Sequence, residues 1–151
     1  MAVRVQEADF DVAAEIAALT AGDEDVGAVV TFTGLVRRIG AEPGPQSMTL
    51  EHYPGMTEAA LADIEAEARA RWPLSGVTII HRVGPLAPGA RIVLVVAASR
   101  HRHAAFEAAA FLMDYLKTRA PFWKKERSAA GERWVDARES DEAARARWEQ
   151  A

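Results

Sequence analysis

No cysteine occurs in the 151 residues. That absence excludes disulfides, a thiolate nucleophile, and thiolate-ligated zinc or iron–sulfur centres. Any sulfur chemistry must use sulfur carried in by another molecule. No stretch approaches the roughly 20 consecutive apolar residues of a membrane span, so no membrane partner is expected. The opening MAVRVQE lacks the apolar run of a secretory signal. With the missing thiols, this leads to the expectation of a reducing, cytoplasmic setting. The phosphate-cradling patterns GxGxxG and GxxxxGKS/T are also absent, which argues against a doubly wound nucleotide fold. Internal repeats, low-complexity tracts and linker-like stretches are missing too. The chain is therefore read as one domain over residues 1–151, long enough to bury a core.

What the chain does have is a cationic island in an acidic protein. Residues 100–127 carry seven Lys/Arg against three Asp/Glu, a net of +4, while the whole chain is −4, leaving −8 elsewhere. A local positive field in an acidic background fits a small anionic ligand better than a nucleic-acid-coating surface. The island spans one helix. Phe106, Ala110, Met113 and Leu116 recur at three- and four-residue steps and predict its buried stripe. Ser99 is the expected N-cap, and Pro121 ends the helix.

The other elements follow from periodicity and punctuation. Residues 3–5, 28–32, 48–52 and 77–81 read as strands, and residues 91–98 (RIVLVVAA) as a central strand buried on both faces. Asp9 or Asp11 caps a short helix bearing Val12, Ile16 and Leu19. Thr57 is the expected cap of a second helix bearing Leu61, Ile64 and Ala68, and Pro73 ends it. Residues 39–47 and 84–89 are rich in glycine and proline, the first expected as a mobile loop and the second as a turn. Residues 122–127 and 132–136 form a hairpin, and residues 141–148 a polar terminal helix. Paired strands with helices inserted between them indicate an α+β fold with a mixed or antiparallel sheet.

Lys117 and Lys124 are the leading chemical candidates. Lys117 ends the helix, and the chain turns at Pro121, so the second ammonium can point back at the first. Converging ammonium groups each ease the other's deprotonation, the usual route to a basic or nucleophilic lysine. A lysine at a helix C-terminus also simply complements the dipole, so spacing alone leaves both readings open. His101, Arg102 and His103 fall in the first helical turn, where backbone N–H groups favour anions and cations are disfavoured. A bound phosphate or carboxylate would resolve that conflict; surface charge in a loop that only precedes the helix would remove it, and the sequence leaves both open. Metal ligation by His101 and His103 is disfavoured, because positions two apart diverge on a helix and arginines flank them. Arg37 and Arg38 follow a strand beside a loop, a setting that suits phosphate but that equally describes solvated loop charge, the plainer reading from sequence alone; Arg133 and Arg138 flank the last strand and read the same way. His52 and His81 end strands without evident partners and are read as structural. Glu58, Asp63, Glu65 and Glu67 form the solvated face of their helix.

Several strings, in order along nearly the whole chain, carry a family resemblance. They are AVVTFTGLVR (28–37), LEHYPGMT (50–57), HR and AFE (101–102 and 105–107), MDYLKTRAPFWK (113–124) and RWVDARES (133–140). Together they resemble the large, catalytic subunit of molybdopterin synthase. The resemblance implies an α/β hammerhead with a small antiparallel β subdomain. It implies a sulfurtransferase acting on cyclic pyranopterin monophosphate. The sulfur comes from the C-terminal Gly-Gly thiocarboxylate of a small ubiquitin-like partner, and the product is the dithiolene of molybdopterin. It also implies a homodimer at the centre of a heterotetramer, with no metal or cofactor and no nucleic acid. Lys117 and Lys124 match the family's catalytic lysines. Arg37, His101, Arg102 and Arg138 match its substrate-binding cations, His101 and Arg102 reaching the site from the other protomer. Phe32 and Met113 match pocket-lining residues, and Leu35, Val36, Lys125 and Glu126 complete the implied binding set. Leu35 stands where a lysine can occur, and Lys125 where an arginine can.

Two other readings compete: a non-catalytic phosphate-ligand or nucleotide-binding module, and an interaction protein whose exposed edge strand at Trp134 and Val135 pairs with a copy of itself.

Overall fold

The computed structural model describes residues 2–41, 43–135 and 139–149. Its strands are β1 (Val3–Gln6), β2 (Ala28–Leu35), β3 (Ser47–His52), β4 (Leu74–Arg82), β5 (Gly84–Leu86), β6 (Arg91–Ser99), β7 (Phe122–Ser128) and β8 (Gly131–Val135). Its helices are α1 (Val12–Thr20), α2 (Met56–Arg71), α3 (Arg102–Arg119) and α4 (Glu139–Ala146), the last followed by a 3₁₀ turn at Arg147–Glu149.

The strands form two four-stranded sheets, ordered β1-β4-β6-β2 and β5-β3-β7-β8. The first is mixed, because β1 runs parallel to β4 while the other pairs are antiparallel. The second is antiparallel throughout. The expected α+β architecture with a separate antiparallel sheet is thus present. Strand β6 lies between β4 and β2 and is buried from Ile92 to Ser99, as its hydrophobic run predicts. Alternation along it splits the core. Val93 and Val95 join the cluster beneath α2 and α3, whereas Leu94 and Val96 join Phe10 and Ile80 beneath α1.

Helix α3 lies where the sequence places it, but its buried face differs. Ala104, Ala105, Ala108, Phe111, Leu112, Tyr115 and Leu116 are buried, while Ala110 and Met113 are half-buried. Phe106 is 62 % exposed. The reason is the alanines. Ala108 and Ala109 pack directly on Ala97 of β6, and such small side chains let the helix approach the sheet closely.

Several boundary expectations are corrected. Ser99 belongs to β6; its hydroxyl donates to the Pro73 carbonyl at 2.8 Å, and His101 is the N-cap. Thr57 lies inside α2, its buried hydroxyl donating to the Tyr53 carbonyl at 2.9 Å. The cap of α2 is Gly55, whose φ of +85° only glycine adopts readily. Residues 84–86, expected as part of a turn, form β5 against β3. Proline is tolerated there because β5 is an edge strand. No helix among the described residues is long and apolar enough to cross a membrane.

Candidate functional site

A cleft of about 590 Å³ opens where the two sheets meet at the C-terminal end of α3. This volume is in the range of small-molecule sites. Leu50, Ile92, Val93, Leu116 and Phe122 give it apolar walls, and Arg37, Arg38, Lys117 and Lys124 bring cations to it.

Both lysines line the cleft, a placement that spacing alone left open. Helix α3 ends at Arg119, Ala120 adopts an extended conformation (φ −80°, ψ 133°), and β7 starts at Phe122. The last helical turn divides its charges. Arg119 donates to Glu67 at 2.8 Å on the surface, while Lys117 lines the cleft. Along β7, alternation sets the facing. Phe122, Lys124 and Glu126 line the cleft, and Val135, the register partner of Lys124, lines it too. Lys125 lies on the opposite face. Its ammonium pairs with Glu132 at 2.9 Å and sits 5.5 Å from the centre of the Trp134 ring.

Of the other residues named from sequence, Phe32, Leu35 and Val36 line the cleft. Val36 is fixed by backbone hydrogen bonds to Gly89 and Ala90, which sets the path of Arg37. Glu126 also pairs with Arg133 at 3.3 Å. Met113 packs against the main core rather than into the cleft. His101 and Arg102 are exposed at the opposite end of α3, with Arg102 about 22 Å along the helix from Lys117. Arg138 lies outside the described residues. Among the described residues, no group of three or more His, Asp and Glu could hold a metal ion.

Sequence reasoning passed over two features. The ends of the loop at 39–47 are tied together, because the buried Gln46 amide bonds both the N–H of Ile39 (2.6 Å) and its carbonyl (2.9 Å). His81 forms part of the cleft wall. It is 4 % exposed and stacks on Phe122 at 3.9 Å between ring centres. Burial, aided by the charges of Lys117 and Lys124, drives its pKa from the ordinary 6.5 down to about 3, against the raising effect of its hydrogen bond to the Arg82 carbonyl. A lone histidine at a strand end gives no sequence signal of this.

The sign of the resulting pH effect follows directly. Between pH 6.5 and about 3 the unfolded chain protonates His81 and the native chain does not, so stability falls as pH falls through that window. The slope is about 1.4 kcal/mol per pH unit. Denaturant titrations between pH 7 and 4 should show it in wild type and lose it in His81→Phe. Parallel curves for the two proteins would remove His81 as the source.

The MoaE protein family model matches residues 5–119. The chain belongs to the MoaE family. A MoaE relative, the molybdopterin synthase catalytic subunit of Mesorhizobium japonicum, is 63 % identical over 149 residues, covering 97 % of this chain and 92 % of its own. The structure of the molybdopterin biosynthesis MoaE protein from Burkholderia ambifaria is 53 % identical, with a TM-score of 0.82 and coverage of 98 % of each chain. Molybdopterin synthase from Staphylococcus aureus is 32 % identical, with a TM-score of 0.78, covering 87 % of this chain and 95 % of its own. MoaE membership is thus carried by sequence and by fold over nearly the whole chain.

Proposed function

We propose that this chain is the catalytic subunit of a molybdopterin synthase, a sulfurtransferase that builds the dithiolene of molybdopterin on cyclic pyranopterin monophosphate. The observation that carries the reading is the meeting of Lys117, Lys124 and Arg37 in one apolar-walled cleft of a MoaE-family fold. The family supplies the reaction, and the cleft supplies groups suited to it. Guanidinium and ammonium groups suit a phosphate and a thiocarboxylate. Apolar walls exclude water, which strengthens those interactions.

In this reading Lys117 is the principal acid–base or acyl-handling group, and Lys124 polarises the thiocarboxylate or steadies the pterin. Arg37 holds the phosphate, joined by His101 and Arg102 from a second protomer. That assignment accounts for the exposed cations at the far end of α3, which their own cleft does not use. The chain has no cysteine, so both sulfurs arrive on the Gly-Gly tail of a small ubiquitin-like subunit. The working assembly is a heterotetramer around a homodimer of this chain, each chain acting as one domain, in the cytoplasm.

Reconstitution tests the reading. The protein, a thiocarboxylated small subunit and the cyclic pterin, mixed without added metal, should yield molybdopterin with two sulfurs consumed per product. Binding of the pterin with no dithiolene formed would demote the chain to a binding module.

A further inference from the structure

Beyond the two lysines, the cleft wall contains a polar group that the reading above leaves unused. His81 ends near the base of β4, buried and clamped. Its ring stacks on Phe122 at 23° between planes, and Nδ1 lies 2.8 Å from the carbonyl oxygen of Arg82. A carbonyl oxygen only accepts, so Nδ1 must carry the proton and donate it. In a neutral ring, Nε2 is then a bare lone pair that only a donor can satisfy. Lys117 from α3 and Lys124 from β7 are donors that line the same cleft as His81, and their charges, with that of His52 from β3, bear on the ring. The carboxylates of Glu126 and Asp141 and the guanidinium groups of Arg37 and Arg38 line the same cavity.

We propose that His81 is a positioning residue for the sulfur-transfer site: an imidazole locked with its proton on Nδ1, so that Nε2 accepts a hydrogen bond from a cleft lysine and fixes that ammonium toward the substrate. The inference rests on the reading of the cleft as the lysine-bearing site. Three features make the lock. The Arg82 carbonyl selects the tautomer. The Phe122 stack fixes the ring plane. Burial beside two ammonium groups keeps the ring uncharged, since an imidazolium there would be both desolvated and repelled. A neutral acceptor is what two crowded cations require. A carboxylate in its place would pin a lysine in an ion pair, and an apolar side chain would leave the ammonium unoriented.

Two variants and one spectroscopic measurement test this in the assembled enzyme. His81→Asn keeps a donor for the Arg82 carbonyl but has nothing at the Nε2 position. It should lower kcat by roughly 10- to 100-fold with little change in KM, the range set by one hydrogen bond to a charged group. His81→Gln can place an amide oxygen near the lost Nε2 and should recover about tenfold over His81→Asn. The lone pair stabilises a lysine's charged form, so its loss should move the rising limb of kcat against pH about one unit toward acid. A purely structural role would lower kcat equally at every pH, and that outcome overturns the proposal, as does an unchanged kcat.

Nitrogen NMR of wild type at pH 7 should show the neutral Nδ1–H form of His81, and lysine side-chain titration should shift downward in His81→Asn without any turnover. An Nε2–H form or an imidazolium overturns the proposal even if the enzyme is active. Conversely, the expected tautomer and lysine shift in a protein that makes no dithiolene would support the lock and sink the assigned reaction. If His81→Asn fails to fold, the wild-type tautomer and His81→Gln decide.

Discussion

Lys117→Ala is expected to lower molybdopterin formation by about 10²- to 10⁴-fold, the range for losing a positioned acid–base group. It should leave the fold intact. Lys117 is exposed in the last turn of α3, and the helix end keeps its other surface anchor, the Arg119–Glu67 ion pair. Lys124→Ala removes the second ammonium from the same cleft, but from a β-strand rather than the helix. The two losses should be far from additive, because groups that share one site act as a unit. Single-turnover assays with preformed thiocarboxylate partner separate chemistry from partner binding. Full turnover by Lys117→Ala, with circular dichroism and dimer size unchanged, would remove this lysine from the mechanism.

Phe111→Ala should produce the largest loss of stability, about 3–5 kcal/mol. Phe111 is fully buried and is the hub of an aromatic cluster. Tyr115 lies 4.2 Å away between ring centres, Trp72 5.3 Å and Trp148 5.6 Å, with the Arg71 guanidinium 4.7 Å from the ring centre. Two helices, α2 and α3, and the C-terminal turn converge on it. Trp148 is held there by hydrogen bonds as well, donating from Nε1 to Asp114 at 2.7 Å and accepting at its carbonyl from Arg71 at 3.0 Å. Removing the ring leaves a cavity that the surrounding rigid indoles cannot fill, so the cost stays near the top of the range. For a chain of this size the melting temperature should drop by about 10 °C or more. A shift below about 3 °C, or a changed denaturant m-value, would show that the cluster re-packs or that the native state itself differs.

The sequence revealed different parts of this structure unequally. Strands were readable where β-branched runs dominate, as in β2 and β6, because such residues fit a pleated, buried surface. Helix α3 was readable in extent but not in facing. Pattern reasoning weights large side chains, so Phe106 and Met113 look like anchors, whereas packing onto β6 rewards alanine at the contact. Strand β5 was hidden by Pro85, and its pairing with β3 depends on chain segments more than 30 residues apart. In the site, Pro121 shows that the chain turns between Lys117 and Lys124, but spacing alone did not choose between a shared cleft and a helix-dipole role for Lys117. The acceptor role of His81 was not legible, since it depends on a stack with a residue 41 positions later. Trp148 showed the same limit, ending a polar helix in sequence yet buried against α3 in space.

The pleat of β7 carries a lesson for protein engineers and for drift among homologues. Its inward and outward sets interleave one by one, so chain length between Phe122 and Lys124 is a stricter requirement than composition. Excising Trp123 with the downstream pairing held would throw Phe122 out to water and strip the imidazole of its stacking surface. With the upstream segment held instead, the ammonium of Lys124 would swing outside. Gaps in this triplet should therefore be far rarer among working relatives than exchanges of its outward-facing member.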